Sequence, residues 1–320
     1  MASRGSKKVV RVAIFANLAI AGCKYVAAAF THSPVMLAEA FHSTADTGNE
    51  LLLLLGMKRS AHPPDALHPF GYGKALYFYS LLVAVYIFGV GGGLALYQGI
   101  SHLLHPVPTT GLGWNYAVLA LGAVFDYCSW RISCRELFSR RNPEDSTWDV
   151  IVNSKDPTIF TVFLEDSAAL VGTFLAFLAI LLGQILHIPY LDPLASIVIG
   201  VLLGAVAILL GRESGALLVG ERTSRSSIKR VSKIINDDPA VERVGELLTM
   251  QLGPDQVLLA VNIKFRPGLN VQELESSIDR IEGQIYRVEP AITRIFLEAD
   301  ALKEMGKSAD ESRNDWTGAA

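Results

Sequence analysis

Cysteine is scarce in this chain. Cys23, Cys128 and Cys134 form no Cys-x-x-Cys pair and all lie in or beside apolar runs, which argues against both a disulfide framework and a zinc finger. Charge is scarce as well. Only 18% of the 320 residues are charged, where a soluble domain carries about a quarter. The net charge of -3 provides no basic excess, so no nucleic-acid partner is expected. No His-Glu-x-x-His or comparable hydrolytic motif occurs, which argues against a zinc enzyme and for a chain that is not an enzyme. The basic N-terminal residues run into the first apolar stretch without a separate hydrophobic region and small-residue cleavage site, so no cleaved signal is expected.

What the chain has in quantity is apolar sequence gathered into blocks. It is 51% hydrophobic, with a mean hydropathy of +0.35. Blocks of about 20 residues match the hydrocarbon thickness of a bilayer. Six spans are expected, at residues 9–30, 35–56, 76–100, 113–132, 158–182 and 191–210. Lys and Arg cluster at alternate ends: Lys7, Lys8 and Arg11; Lys58, Arg59 and Lys74; Arg131, Arg135, Arg140, Arg141 and Lys155; Arg212 and Arg222. The connections 31–34, 101–112 and 183–190 contain neither residue. The positive-inside rule then places both termini in the cytoplasm. A plasma (inner) membrane is the expected location, with an organelle membrane as the other reading.

Several ionisable residues interrupt these blocks, and such residues at bilayer depth commonly mark an ion or substrate path. In the second span, Glu39, His42, Asp46 and Asn49 are spaced by three, four and three residues, so one helical face carries all four. An imidazole and a carboxylate one turn apart form half of a tetrahedral zinc-type site; the other reading is polar glue between helices. The fifth span holds adjacent Glu165 and Asp166. Neighbouring helical positions differ by about 100°, so one is expected to bind the metal and the other to serve as proton carrier, charge partner or outer support. Glu39, Asn49 and Asp126 are candidates for a proton relay or a supporting shell. Lys24 in the first span calls for a partner such as Glu39, and Asp126 could also serve it. The Gly89–Gly93 run permits a close helix contact or a bend. Asp192 suits the first turn of the sixth span. His62, Asp65 and His68, in a loop rich in turn residues, allow either a metal-entrance site or ordinary turn chemistry.

The pattern changes after the sixth span. Residues 224–238 form a basic amphipathic helix pattern, 244–250 and 257–265 read as strands around a Gly253-Pro254-Asp255 turn, 271–288 as a second helix and 292–298 as a third strand. That order suits a small α+β domain with helices on one face of a sheet. The expected division is a membrane domain over 1–212, a soluble domain over 213–302 and a disordered polar tail over 303–320.

Three segments together resemble the cation diffusion facilitators. They are Ala38-Glu39-Ala40-Phe41-His42-Ser43-Thr44-Ala45-Asp46, His68-Pro69-Phe70-Gly71-Tyr72-Gly73-Lys74, and Asp192-Pro193-Leu194-Ala195-Ser196. The resemblance covers about residues 8 to 300. It implies a homodimer with six spans and a cytoplasmic ferredoxin-like domain, exporting Zn2+ or a similar divalent ion in exchange for protons. The transported metal would be held by His42 and Asp46 with Glu165 or Asp166. The sequence departs from the family pattern at Val162, four residues before Asp166, where a His or Asp usually stands, and at Leu76, where many members have Glu. The first departure resembles the branch related to zinc transporter 9. No histidine follows His187 and no cysteine follows Cys134, so the implied role of the soluble domain is dimerisation rather than regulatory metal binding. Two other readings remain beside Zn2+/proton antiport: transport of Mn2+, Fe2+ or Co2+, and a non-transporting membrane scaffold with a vestigial metal site.

Overall fold

The computed structural model describes residues 4–105, 112–139, 155–188 and 190–299. It divides between Val219 and Gly220 into two units. The polar tail 303–320 and the connection around Pro143 lie outside the described residues.

The first unit is helical. Its helices are α1 (Arg4–Thr31), α2 (Pro34–Ser60), α3 (Ala75–Tyr86), α4 (Gly93–Leu104), α5 (Leu112–Ser139), α6 (Pro157–Leu186) and α7 (Leu191–Val219), with a π-helical segment, Ile87–Gly92, joining α3 to α4. Local chemistry sets the helix starts. Ser33 Oγ accepts from Met36 N at 3.3 Å, Asp156 Oδ1 accepts from Thr158 N at 3.2 Å, and a proline follows each of these caps, where its missing N–H costs nothing. Helices continue past the apolar blocks because the backbone hydrogen bonds that sustain them do not require apolar side chains. Thus α5 reaches Ser139 and α7 reaches Val219.

Among the described residues, three stretches are long and apolar enough to cross a membrane: Ala75–Leu104, Pro157–Leu186 and Leu191–Val219. The other long helices, α1, α2 and α5, have 28, 27 and 28 residues. They carry ionisable residues that the fold turns inward: Lys24, Glu39, His42, Asp46, Glu50 and Asp126 are all buried. Large apolar side chains point outward instead, among them Val85 (65% exposed), Tyr97 (70%) and Ile208 (68%). Polar inside and apolar outside reverses the arrangement of a water-soluble bundle and suits lipid.

The expected glycine contact is present. A Cβ on Gly92 would lie 3.1 Å from Gly200 O, and one on Gly200 would lie 3.0 Å from Gly92 O. The two backbones therefore pack directly, as small residues permit. A Cβ on Gly91 would reach that of Ala45 at 3.5 Å, so the π-helical segment leans on the turn of α2 that precedes Asp46. Helix α1 packs on α2 and α5, α5 on α6, and α6, α3 and α4 on α7. The shared core includes Met36, Leu53, Val83, Phe160, Val162 and Leu203.

The second unit contains α8 (Arg225–Asn236), β1 (Val241–Gly253), β2 (Gln256–Phe265), α9 (Val271–Val288) and β3 (Ile292–Ala299). The strands form one sheet in the order β1-β2-β3. β1 and β2 run antiparallel, while β2 and β3 run parallel. A parallel pair needs a long crossover, and α9 provides it. Asn270 and Glu273 cap this helix reciprocally, each side chain accepting from the other's backbone N–H at 2.9 Å. Val231 and Ile235 of α8 share a buried core with Ile281 and Ile285 of α9 and Leu259 and Ile263 of β2. β1 is longer than its alternating run because register shifts between Val241 and Arg243 and between Val244 and Leu247 let pairing continue past breaks in the pattern.

Asp238 joins the end of α8 to α9. Its carboxylate accepts from Ser277 Oγ at 2.9 Å, Ala240 N at 2.9 Å, and Arg280 Nε and Nη2 at 3.1 and 3.2 Å. Burial alone would raise its pKa, but the bonds from Arg280, Ala240 and Ser277 hold it below the usual carboxylate range. The depressed pKa stabilises the fold above the unfolded-state value near 4, and this contribution disappears as pH falls through the still lower folded-state value. Arg280 is 48% exposed, so water discounts the pair. Asp238→Asn is expected to cost about 1 kcal/mol at neutral pH. Thermal unfolding should show the gap between variant and parent narrowing below about pH 4.

Candidate metal site

The second helix organises the polar interior. Glu39, His42, Ser43, Asp46, Asn49 and Glu50 recur along α2 at three- and four-residue spacing, and all are buried. The neighbouring helices answer this stripe group by group. Lys24 Nζ donates to Glu39 Oε2 at 2.8 Å and to Ser43 Oγ at 3.1 Å. Thr173 of α6 bridges Glu39 Oε2 and Asp126 Oδ2, each at 3.4 Å. Lys24, Glu39 and Asp126 thus form a charge cluster linking α1, α2 and α5.

One turn along α2, His42 Nδ1 lies 3.2 Å from Asp46 Oδ1. His42 Nε2 is buried and has no hydrogen-bond partner among the described residues. A carboxylate on one ring nitrogen with the other nitrogen free is the posture of a metal-ready histidine. The next turn carries Asn49 and Glu50. Asn49 Nδ2 donates to Glu165 Oε1 at 2.6 Å, joining α2 to α6. Asn17 Nδ2 of α1 donates to Glu50 Oε1 at 3.0 Å.

Glu165 and Asp166 face different partners, as their 100° separation requires. Glu165 turns to α2. Asp166 turns to α5, where its Oδ2 accepts from Ser129 Oγ at 2.9 Å and Ser133 Oγ at 3.1 Å. Both acids act electrostatically on or with Asp46 and Glu50. Among the described residues, no three His, Cys, Asp or Glu side chains stand close enough together to hold a metal ion. The fold therefore brings His42, Asp46, Glu165 and Asp166 into one polar interior without closing them into a finished coordination shell. Val162 packs in the apolar core at 2% exposure.

The loop histidines behave differently. Asp65 Oδ1 accepts from Leu67 N at 3.0 Å and His68 N at 2.7 Å, while Oδ2 accepts from Tyr72 Oη at 2.7 Å. The bonds from Tyr72 and His68 hold the Asp65 carboxyl below its ordinary range. His68 and His62 flank the Tyr72 ring, at 4.1 and 5.9 Å between ring centres. His62 Nδ1 lies 3.1 Å from the carbonyl oxygens of Lys58 and Arg59. This is a tied turn in which the Asp65 oxygens already have donors. Asp192 plays a part that its position in α7 did not suggest. It accepts from Ser33 Oγ at 2.9 Å and Val35 N at 3.1 Å, and so serves the start of α2.

Sequence reasoning missed Glu50 and the donors Asn17, Ser129, Ser133 and Thr173 as members of this polar interior. Glu50 was legible: it lies four residues after Asp46, on the face already identified.

The profile of the cation efflux transmembrane domain matches residues 10–219. The chain belongs to the cation efflux family. Members of this family, the cation diffusion facilitators, are membrane transporters rather than enzymes. The chain is 33% identical over 331 residues to the mitochondrial proton-coupled zinc antiporter SLC30A9 of Homo sapiens, covering 97% of this chain and 58% of that protein. It is 30% identical over 335 residues to a metal tolerance protein of Arabidopsis thaliana, covering 92% and 73%. It is 24% identical over 306 residues to the manganese efflux system protein MneP of Bacillus subtilis, covering 93% and 97%. The chain thus spans 58% of the length of the human relative.

Proposed function

We propose that this cation efflux chain moves Zn2+ out of the cytoplasm in exchange for protons. The observation that carries the reading is His42: a buried imidazole with Nδ1 against Asp46 and Nε2 unpartnered among the described residues, on a helix that Asn49 links to Glu165 of α6. His42, Asp46 and either Glu165 or Asp166 bind the ion; Nδ1 and Nε2 point to opposite sides of the ring, so Asp46 leaves Nδ1 when its carboxylate joins Nε2 at one ion. These groups bind metal in their deprotonated forms, so loading expels protons and protonation expels the ion. Mixed nitrogen and oxygen ligands suit Zn2+ and also admit Mn2+, Fe2+ and Co2+. The names of the zinc and manganese relatives support the same range. Six spans are part of this proposal. In it α1, α2 and α5 join the three apolar stretches because they hide their charges inside the bundle, and alternate exposure of the site follows from rocking of the spans. Both termini lie in the cytoplasm, in keeping with the distribution of Lys and Arg. The small sheet unit serves a homodimer. Leu248 and Phe296, each paired with Ala260, stay 56% and 54% exposed as an apolar patch across the sheet.

A second reading is a membrane scaffold that transports nothing. It draws on the bonds that hold Glu165 to Asn49 and Asp166 to Ser129 and Ser133. Reconstituted vesicles separate the two. Antiport predicts Zn2+ uptake that rises with an imposed pH gradient and collapses when the gradient is dissipated. Uptake no faster than in empty vesicles would leave the scaffold.

A further inference from the structure

We propose that Glu50 is a ligand of the transported cation, with Asn17 as the residue that positions it. The inference rests on the transport reading above and adds a residue to its site. Glu50 is 2% exposed. Its Oε1 accepts from Asn17 Nδ2 at 3.0 Å, while its Oε2 is buried with no hydrogen-bond partner among the described residues. An isolated buried carboxylate oxygen is costly. Among the described residues, the charges that act on Glu50 are the like charges of Asp46 and Asp166. Glu165 experiences Asp46, Glu50 and Asp166 in the same way. Lys24, the buried ammonium of this interior, is bonded instead to Glu39 and Ser43.

Asp46, Glu50, Glu165 and Asp166 therefore share one low-dielectric region with the His42 imidazole, and Lys24 acts there on Asp46 as well as on Glu39 and Asp126. Such a set requires protons or a cation to balance it. Glu50 has the attributes of a prepared ligand: one oxygen fixed by a neutral amide, the other presented without a partner. It stands one turn from Asp46 on the same face of α2; among the described residues no three such groups converge in the structure, so binding one ion with His42 and Asp46 requires these side chains to close toward each other. With Glu50 included, the donor set is one nitrogen and predominantly oxygen, which suits Zn2+ and also Mn2+.

Direct metal binding to the purified full chain tests this inference. Zn2+ affinity is measured by calorimetry, and Co2+ is used as a spectroscopic probe whose visible bands report its ligands. Glu50→Gln keeps the size of the side chain and an acceptor for Asn17 but removes the anionic ligand. It is expected to weaken Zn2+ binding at least tenfold and to change the Co2+ bands, with melting of the metal-free protein little altered. Glu50→Asp should retain part of the affinity, and Asn17→Ala should weaken binding by a smaller factor. An affinity within twofold of the parent and an unchanged Co2+ spectrum for Glu50→Gln would overturn the proposal. If His42→Ala and Asp46→Ala still weaken binding in that case, the antiporter reading stands without Glu50; if they too bind as the parent does, both readings fail. Should Glu50→Gln not fold, Glu50→Asp and Asn17→Ala decide: parental affinity and spectrum in both overturn the role of Glu50.

Discussion

Vesicles carrying His42→Ala together with Asp46→Ala are expected to lose Zn2+ uptake by a factor on the order of 100 or more, since removing even an outer partner of a metal ligand costs about 10- to 100-fold. The two residues act as a unit. His42 presents Nε2 because Asp46 holds Nδ1, so either single variant should lose most of what the double variant loses, and the effects should be far from additive. Among the described residues, His42 and Asp46 make no hydrogen bond to another helix, whereas Glu39 and Asn49 tie α2 to α1 and α6. The proteins should therefore fold and insert, so equal amounts of parent and variant can be compared. Robust pH-driven uptake by the double variant would remove the basis of the antiport proposal.

Lys24→Met is expected to destabilise the helical unit by about 3–5 kcal/mol, the usual cost of removing one partner from a buried ion pair. The Lys24 and Glu39 side chains are 1% and 0% exposed and lie 2.8 Å apart. Without the ammonium, Glu39 would share the interior with Asp126 and have the Thr173 hydroxyl as its remaining donor. A lower yield and a lower melting temperature in detergent would register the loss. Lys24→Met combined with Glu39→Leu should recover much of it, because two apolar groups leave no orphaned charge. A single variant as stable as the parent would mean that this pair does not hold α1 to α2.

The polar face of α2 was legible because its period is local. Residues 39, 42, 46 and 49 share one side of any helix. Glu50 belongs to the same arithmetic and was overlooked beside the Leu51–Leu55 run. Helix starts could be read from Ser33-Pro34 and Asp156-Pro157, whereas helix ends were placed short because polarity changes before hydrogen bonding stops. In the second unit, strand positions followed from alternation, whereas the parallel pairing of β2 with β3 came from the packed sheet.

Which polar group answers which lay beyond local pattern. Lys24 could have taken Glu39 or Asp126, and it bonds the former. Glu165 and Asp166 were interchangeable in the sequence; packing turned one to Asn49 and the other to two serines of α5. Asp192 caps a helix 157 positions away. Composition and spacing settled that buried charge must exist and on which helical faces, because burial patterns and helical periods are properties of neighbouring residues. The partners came from the packed bundle, because a charge in a low-dielectric interior pairs with whatever the fold brings within about 3 Å of it.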